Sequence, residues 1–205
     1  MTPKALMTAT MIVATSAALL AQGPPPGGGQ GRGGPGRGPQ TPPLIMTTTA
    51  WEDGGVIPDK YTGAGATQPA PSPALSWTQV PPGTLSFALI MHDPEPAIPA
   101  KSSKGDVTHW LIWNIPGTST GLPEGVANGD LPDGSKQQSL RGQGYMGPGA
   151  PPGPYHHYTF TLYALDTKLD VTPSQNAFDT RTALLNAMDG HVLSKAVLVA
   201  RFHRQ

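Results

Sequence analysis

Cysteine is absent from the chain, which excludes disulfides, thiolate nucleophiles and cysteine-ligated metals. The absence leaves the compartment open, because an exported domain with an adequate core needs no disulfide. Charge is nearly as scarce. Only 13% of residues are charged, and 13 Lys and Arg are matched by 13 Asp and Glu. No basic field favours nucleic acid, and no acidic block suggests a cation-buffering tail. Any partner must therefore be recognised at a local site. The chain also lacks a GxSxG elbow, a Walker A loop, a dinucleotide fingerprint and an HExxH pair, so the commonest motif-marked enzyme classes gain no support. No repeat of fixed period appears. A length of 205 residues fits one domain, or one domain with appendages.

Two appendages are visible. Residues 1–22, MTPKALMTATMIVATSAALLAQ, carry Lys4 and then an uncharged, largely apolar run from Ala5 to Ala21. That run is short for a spanning helix and ends in small residues, as a secretory signal does. The expectation is a signal peptide cleaved near Leu20 to Gly23, a product in the periplasm or secreted, and no stable transmembrane segment afterwards. Residues 23–43, GPPPGGGQGRGGPGRGPQTPP, hold nothing apolar to bury against the entropy of ordering glycine. They read as a disordered spacer.

The core candidate is 44–205. LSFALIM (85–91), THWLIWN (108–114), YTFTLYAL (158–165) and KAVLVARF (195–202) read as strands, with PALSW (73–77) a shorter one. Continuous apolar runs among them suggest strands covered on both faces. One helix is expected near 179–189, capped by Asp179, with an apolar stripe of Leu184, Leu185 and Met188 and a stop at Gly190. The stretch from Pro116 to Gly153 reads as loops. Mostly strands with a late helix imply a mainly β fold, an antiparallel β-sandwich with peripheral short helices.

Three segments can carry chemistry. In a strand, residues two apart share a face. His156, Tyr158 and Phe160 therefore point one way and His157 and Thr159 the other, so the doubled histidine is not one unit. By the same parity His109 falls with Leu111 and Trp113, opposite Trp110. It is either a core histidine satisfied by a carbonyl or a site residue. HDPEPAIP (92–99) follows an apolar strand, and its prolines stop that strand while holding Asp93 and Glu95 at the exit.

The chain resembles the phosphatidylethanolamine-binding protein family, in its bacterial Raf-kinase-inhibitor-like branch. The resemblance runs over about residues 47 to 204, through GGVIPDKYTG, PSPALSW, LSFALIMHDPEPA, THWLIWNIPG, LPEGV, GYMGPGAPPGPYHHYTFTLYALD and AMDGHVLSKAVLVARFHR. It implies a compact β-sandwich with a small anion-binding cavity near the surface. It also implies pocket roles for Asp93, His109, Pro151, His156 and Tyr158, with Glu95, Val107, Gly149 and Ala150 at the rim. Strand parity had already placed His156 with Tyr158. Glu95 stands where the family has aspartate and is one methylene longer, which could crowd the rim. His157 stands for an arginine and could weaken an ion pair. Gly149 and Ala150 replace cysteine and proline and loosen the loop, and Val107 stands where some relatives have tryptophan.

Imidazole N–H groups, a tyrosine hydroxyl and backbone donors can converge on phosphate oxygens, and a protonated His109 or His156 would add charge attraction. Asp93 suits orienting a histidine or accepting from a ligand ammonium. The expected function is non-enzymatic binding of a small anion, phosphate or phospholipid headgroup, with no cofactor and no metal. Two alternatives follow from the same residues. A protein partner could be bound through surface loops, or Asp93, His109 and His156 could ligate zinc for a hydrolase if their side chains converge.

Overall fold

A computed structural model describes residues 42–96 and 106–205. The predicted signal segment and all but the last two residues of the predicted spacer lie outside the described residues. The described residues fall within one compact unit.

The elements follow the apolar runs in the sequence. In chain order they are β1 (Ile45–Thr47), β2 (Gly55–Val56), a short 3-10 turn (Asp59–Tyr61), β3 (Leu75–Thr78), β4 (Ser86–Asp93), β5 (Val107–Pro116), β6 (Gly121–Leu122), β7 (Lys136–Gln138), β8 (His156–Leu165), α1 (Ala177–Ala187) and β9 (Val192–Phe202). β6 and β7 are short strands inside the stretch expected to be loops. A six-stranded sheet has the order β2-β9-β8-β4-β5-β7 and a three-stranded sheet the order β1-β3-β6. The pairings are antiparallel apart from β2 with β9. The expected antiparallel sandwich is present. Among the described residues no helix is long and apolar enough to cross a membrane.

Two apolar layers account for the doubly buried strands. Alternate residues of β4 and β5, Phe87, Leu89, Met91, Trp110 and Ile112, pack with Met46, Leu75 and Trp77 of the smaller sheet. The intervening residues, Ala88, Ile90, Leu111 and Trp113, pack on the other face with Leu169, Val171, Leu184 and Met188. Each fully buried apolar side chain contributes about 1.5–3 kcal/mol. The central strands are therefore pinned from both sides, as continuous apolar runs imply.

The helix begins two residues before its predicted start. Asn176, not Asp179, is the N-cap, and its side chain accepts from the Phe178 N–H. Asn and Asp are both good caps, and the buried stripe decides between them. Ala177, Thr180 and Leu184 face inward within the helix, and Met188 continues that face at its C-cap. Leu185, predicted in the stripe, is 42% exposed.

β5 is irregular twice. Phe87 pairs with Ile115 and Ala88 with Trp113, which leaves Asn114 as an extra residue, and Met91 pairs with Trp110 and His92 with Thr108, which leaves His109 extra. Asn114 has φ +59, a conformation asparagine tolerates better than most residues. Its side-chain amide donates to the Leu169 carbonyl at 2.9 Å and its oxygen accepts from the Leu169 N–H at 2.8 Å. This pair ties the bulge to the segment leading into α1. Asn114→Ala removes both bonds and keeps the strained φ, and we expect a loss of about 2–3 kcal/mol. Asn114→Asp, which retains the acceptor, should lose less. Urea denaturation of both variants reads the difference.

Candidate functional site

The site lies where β4 ends and β5 and β8 begin. On β4, Asp93 shares its face with Met91, Leu89 and Phe87 and so points between the sheets, where it is 3% exposed. On β8, His156 and Tyr158 lie on that same inner face, as parity predicted. His156 Nδ1 is 2.8 Å from Asp93 Oδ2, and Asp93 Oδ1 accepts from the Glu95 N–H at 3.1 Å.

His109 arrives differently from its expected orientation. Parity grouped it with Leu111 and Trp113, which pack under the helix. His109 is itself the extra residue of the bulge, and a bulge re-aims a side chain. His109 instead stands edge-on to Tyr158, with ring centroids 5.1 Å apart and an interplanar angle of 80°. Its Nδ1–H donates to the Met146 carbonyl at 2.8 Å, and the Met146 N–H donates to the His109 carbonyl at 3.0 Å. Nothing in the sequence marks Met146 as this partner, because the group it offers is backbone.

The Gly/Pro segment that follows is a shaped loop. Its start is bound to the 3-10 turn: the Tyr145 hydroxyl donates to the Tyr61 carbonyl at 2.8 Å, and the Gly63 N–H donates to the Pro148 carbonyl at 2.7 Å. A Cβ on Gly147 would sit 2.9 Å from the Tyr61 oxygen, so the close approach needs glycine. Its end is held by the Arg204 N–H on the Ala150 carbonyl at 3.1 Å and by His203 on the Gly153 carbonyl. Between these anchors Gly149 is open, since an added Cβ would meet nothing within 4 Å. Ala150 is buried and Pro151 exposed. No hydrogen bond joins Pro151 to the other predicted pocket residues. Val107 is buried and pairs with Asp93 across β4 and β5.

Glu95 binds His157, with Oε1 2.7 Å from Nδ1 and Oε2 accepting the His157 N–H at 3.0 Å, while its carboxyl stays within 4.8 Å of the ligand atoms of Asp93 and His156. The two departures from the family pattern thus meet each other. Sequence reasoning treated them separately because they are 62 positions apart.

The electrostatics differ from a positively charged anion hole. Burial raises the Asp93 pKa, opposed by the His156 bond. Burial works in the same direction on Glu95, but its bonds to His157 outweigh it and hold Glu95 at about 2. Burial takes His109 down to about 4, aided by the charge of Arg141 and opposed by the Met146 bond. His109 is therefore neutral at neutral pH, with Nδ1 protonated and Nε2 an acceptor, and contributes no charge attraction there. The Tyr158 hydroxyl is buried and makes no well-formed hydrogen bond to a described residue, with Asp93 and the backbones of Ala150 and Gly149 close around it. Its ionisation is pushed up by burial and the Asp93 charge, with the backbones of Ala150 and Gly149 acting in the opposite direction.

Metal-ligating groups converge in a trio other than the one considered from sequence. Ligand atoms of Asp93, Glu95 and His156 lie within 4.8 Å of one another, whereas His109 is held away on Met146. Those donors are already engaged, His156 with Asp93 and both Glu95 oxygens with His157. An ion there would have to displace these bonds.

The depressed His109 pKa has a consequence for stability. Between the unfolded value of 6.5 and the folded value of about 4, the unfolded chain binds a proton that the folded chain does not. Stability present above about pH 6.5 is thus lost as pH falls through 4, by on the order of 3 kcal/mol. His109→Gln should flatten this acid-side loss relative to the parent, as measured by urea midpoints at pH 7 and pH 4.5. An equal slope in both proteins would refute the assignment.

Comparison with known proteins places this geometry. The family model for phosphatidylethanolamine-binding protein matches residues 47–203. A UPF0098 protein of Methanothermobacter thermautotrophicus is 45% identical over 164 residues, covering 78% of this chain and 99% of its own. A solved phosphatidylethanolamine-binding protein homologue from Chlamydia trachomatis superposes with a TM-score of 0.66 at 31% identity, covering 80% of this chain and 99% of its own. E. coli YbcL superposes with a TM-score of 0.63 at 26% identity, covering 79% and 99%. With the matched region spanning both sheets, the helix and every residue of the pocket, the chain belongs to the phosphatidylethanolamine-binding protein family.

Proposed function

We propose that the domain binds a small phosphate-bearing group, such as a phospholipid headgroup, without chemical turnover. Family membership supports a binding role in general. The finer reading is carried by the Tyr158 hydroxyl, buried among Asp93, His109 and the Ala150 and Gly149 backbones and without a well-formed hydrogen bond to a described residue. A buried hydroxyl left without a partner costs about 1–3 kcal/mol, and an oxyanion that accepts from it recovers that cost.

The charge balance selects the ligand's protonation state. Asp93 repels a phosphate dianion, and His109 Nε2 is an acceptor. A phosphate that keeps one proton fits both, because its P–OH donates to His109 or Asp93 while another oxygen accepts from Tyr158. A ligand ammonium would find its acceptor at Asp93. Each of the site's histidines holds a protein partner through Nδ1: His156 holds Asp93, His157 holds Glu95 and His109 holds Met146. The upward shift of Tyr158 makes it a poor nucleophile. The apolar run after Lys4 supports action in the periplasm or outside the cell.

Calorimetric titration with O-phosphoethanolamine tests this reading. Tyr158→Phe should weaken binding about tenfold while the melting temperature of the free protein stays equal or rises. Wild-type affinity should be higher at pH 5.5 than at pH 8, because the second phosphate ionisation near about 6 adds a charge that Asp93 repels. Equal affinity in the variant, or affinity that grows with pH, would overturn the proposal.

A further inference from the structure

Among the described residues the pocket holds no permanent cation, yet one stands next door. Beyond the 145–147 segment lies a cavity of about 230 Å³ lined by Gln68, Asn128, Ser139, Arg141, Gln143 and Met146, among others. Its lining contains one arginine and no carboxylate. Among the described residues Arg141 is exposed and, like Lys136, Lys168, Lys195, Arg201 and Arg204, has no acidic partner, but of these cations it is the one that lines this cavity. The side chains of Asn128 and Gln143 make no hydrogen bond to another described residue. The Asn128 amide occupies the position a side chain at residue 144 would need, since a Cβ on Gly144 would lie 1.9 Å from its oxygen.

The cavity and the pocket share a wall. Met146 lines the cavity, and its carbonyl is the group that holds His109. The Arg141 charge reaches across this wall, where it disfavours a second positive charge on His109.

We infer that this cavity is an oxyanion subsite in which the Arg141 guanidinium takes a phosphate or carboxylate group, flanked by the Asn128 and Gln143 amides. A guanidinium presents a fork of donors that matches the oxygens of such a group. With the acidic and neutral pocket on one side of Met146 and the cationic cavity on the other, the two positions suit a ligand with a polar or cationic end and a separate anionic end. The subsite goes beyond the function proposed for the Tyr158 pocket and does not depend on it.

Amide and arginine Nε–H shifts of the full chain, followed during titration with inorganic phosphate and separately with acetate, test the assignment. Sodium chloride at matched ionic strength is the control. Arg141 and the amides of residues 142–144 should titrate with a common saturation curve. Arg141→Gln should weaken that curve at least tenfold, the loss expected for a hydrogen bond to a charged group. Arg141→Lys, which keeps the charge but not the fork, should fall between. Whichever anion titrates more tightly identifies the preferred group. Shifts reproduced by chloride, or unchanged in Arg141→Gln, would overturn the subsite. Movement at Arg141 with none at His156 and Tyr158 would uphold it while refuting the proposed function. Movement at His156 and Tyr158 alone would do the reverse.

Discussion

The reciprocal hydrogen bonds between His109 and Met146 organise the polar end of this sandwich. One bond uses the imidazole and the other the backbone, so the loop is fastened to β5 by the same residue that faces Tyr158. Because the ring donates through Nδ1, its remaining nitrogen is fixed as an acceptor. A single contact therefore sets three things: where the Gly/Pro loop starts, what tautomer the histidine adopts, and what hydrogen-bond character the pocket presents.

The pocket that results differs from a simple positive anion hole. Among the described residues its acidic groups are two carboxylates, each paired with a histidine, and the buried His109 is neutral at neutral pH. Recognition in such a site depends on matching donors to acceptors more than on attraction at a distance. That makes the protonation of the ligand as important as its charge.

Much of this arrangement was readable in the sequence, for physical reasons that also explain what was not. The apolar runs located the long strands, and their lack of alternation showed that β4 and β5 are covered on both faces. The period of two separated His156 from His157 correctly because β8 is regular there. The same rule failed for His109, where β5 carries an extra residue whose cost is offset by contacts distant in the chain. The helix start was misplaced because two good capping residues stand three apart, and the buried face that decides between them is tertiary. The Glu95–His157 pair and the Met146 carbonyl were invisible for a related reason: one depends on register between strands and the other on a backbone group that every residue has.

Two neighbours at the end of β4 show how this fold holds its site still. Asp93 turns inward to His156, while His92, one position earlier, turns to Asp106, which also binds Arg181 of α1. The strand end is thus riveted through the thickness of the domain, with one layer gripped by each residue. Asp93 is thereby held in place, because displacing it would drag on the helix behind it. Between the loop's anchors the contrast is at Gly149, which stands open, with nothing within 4 Å of where a Cβ would sit.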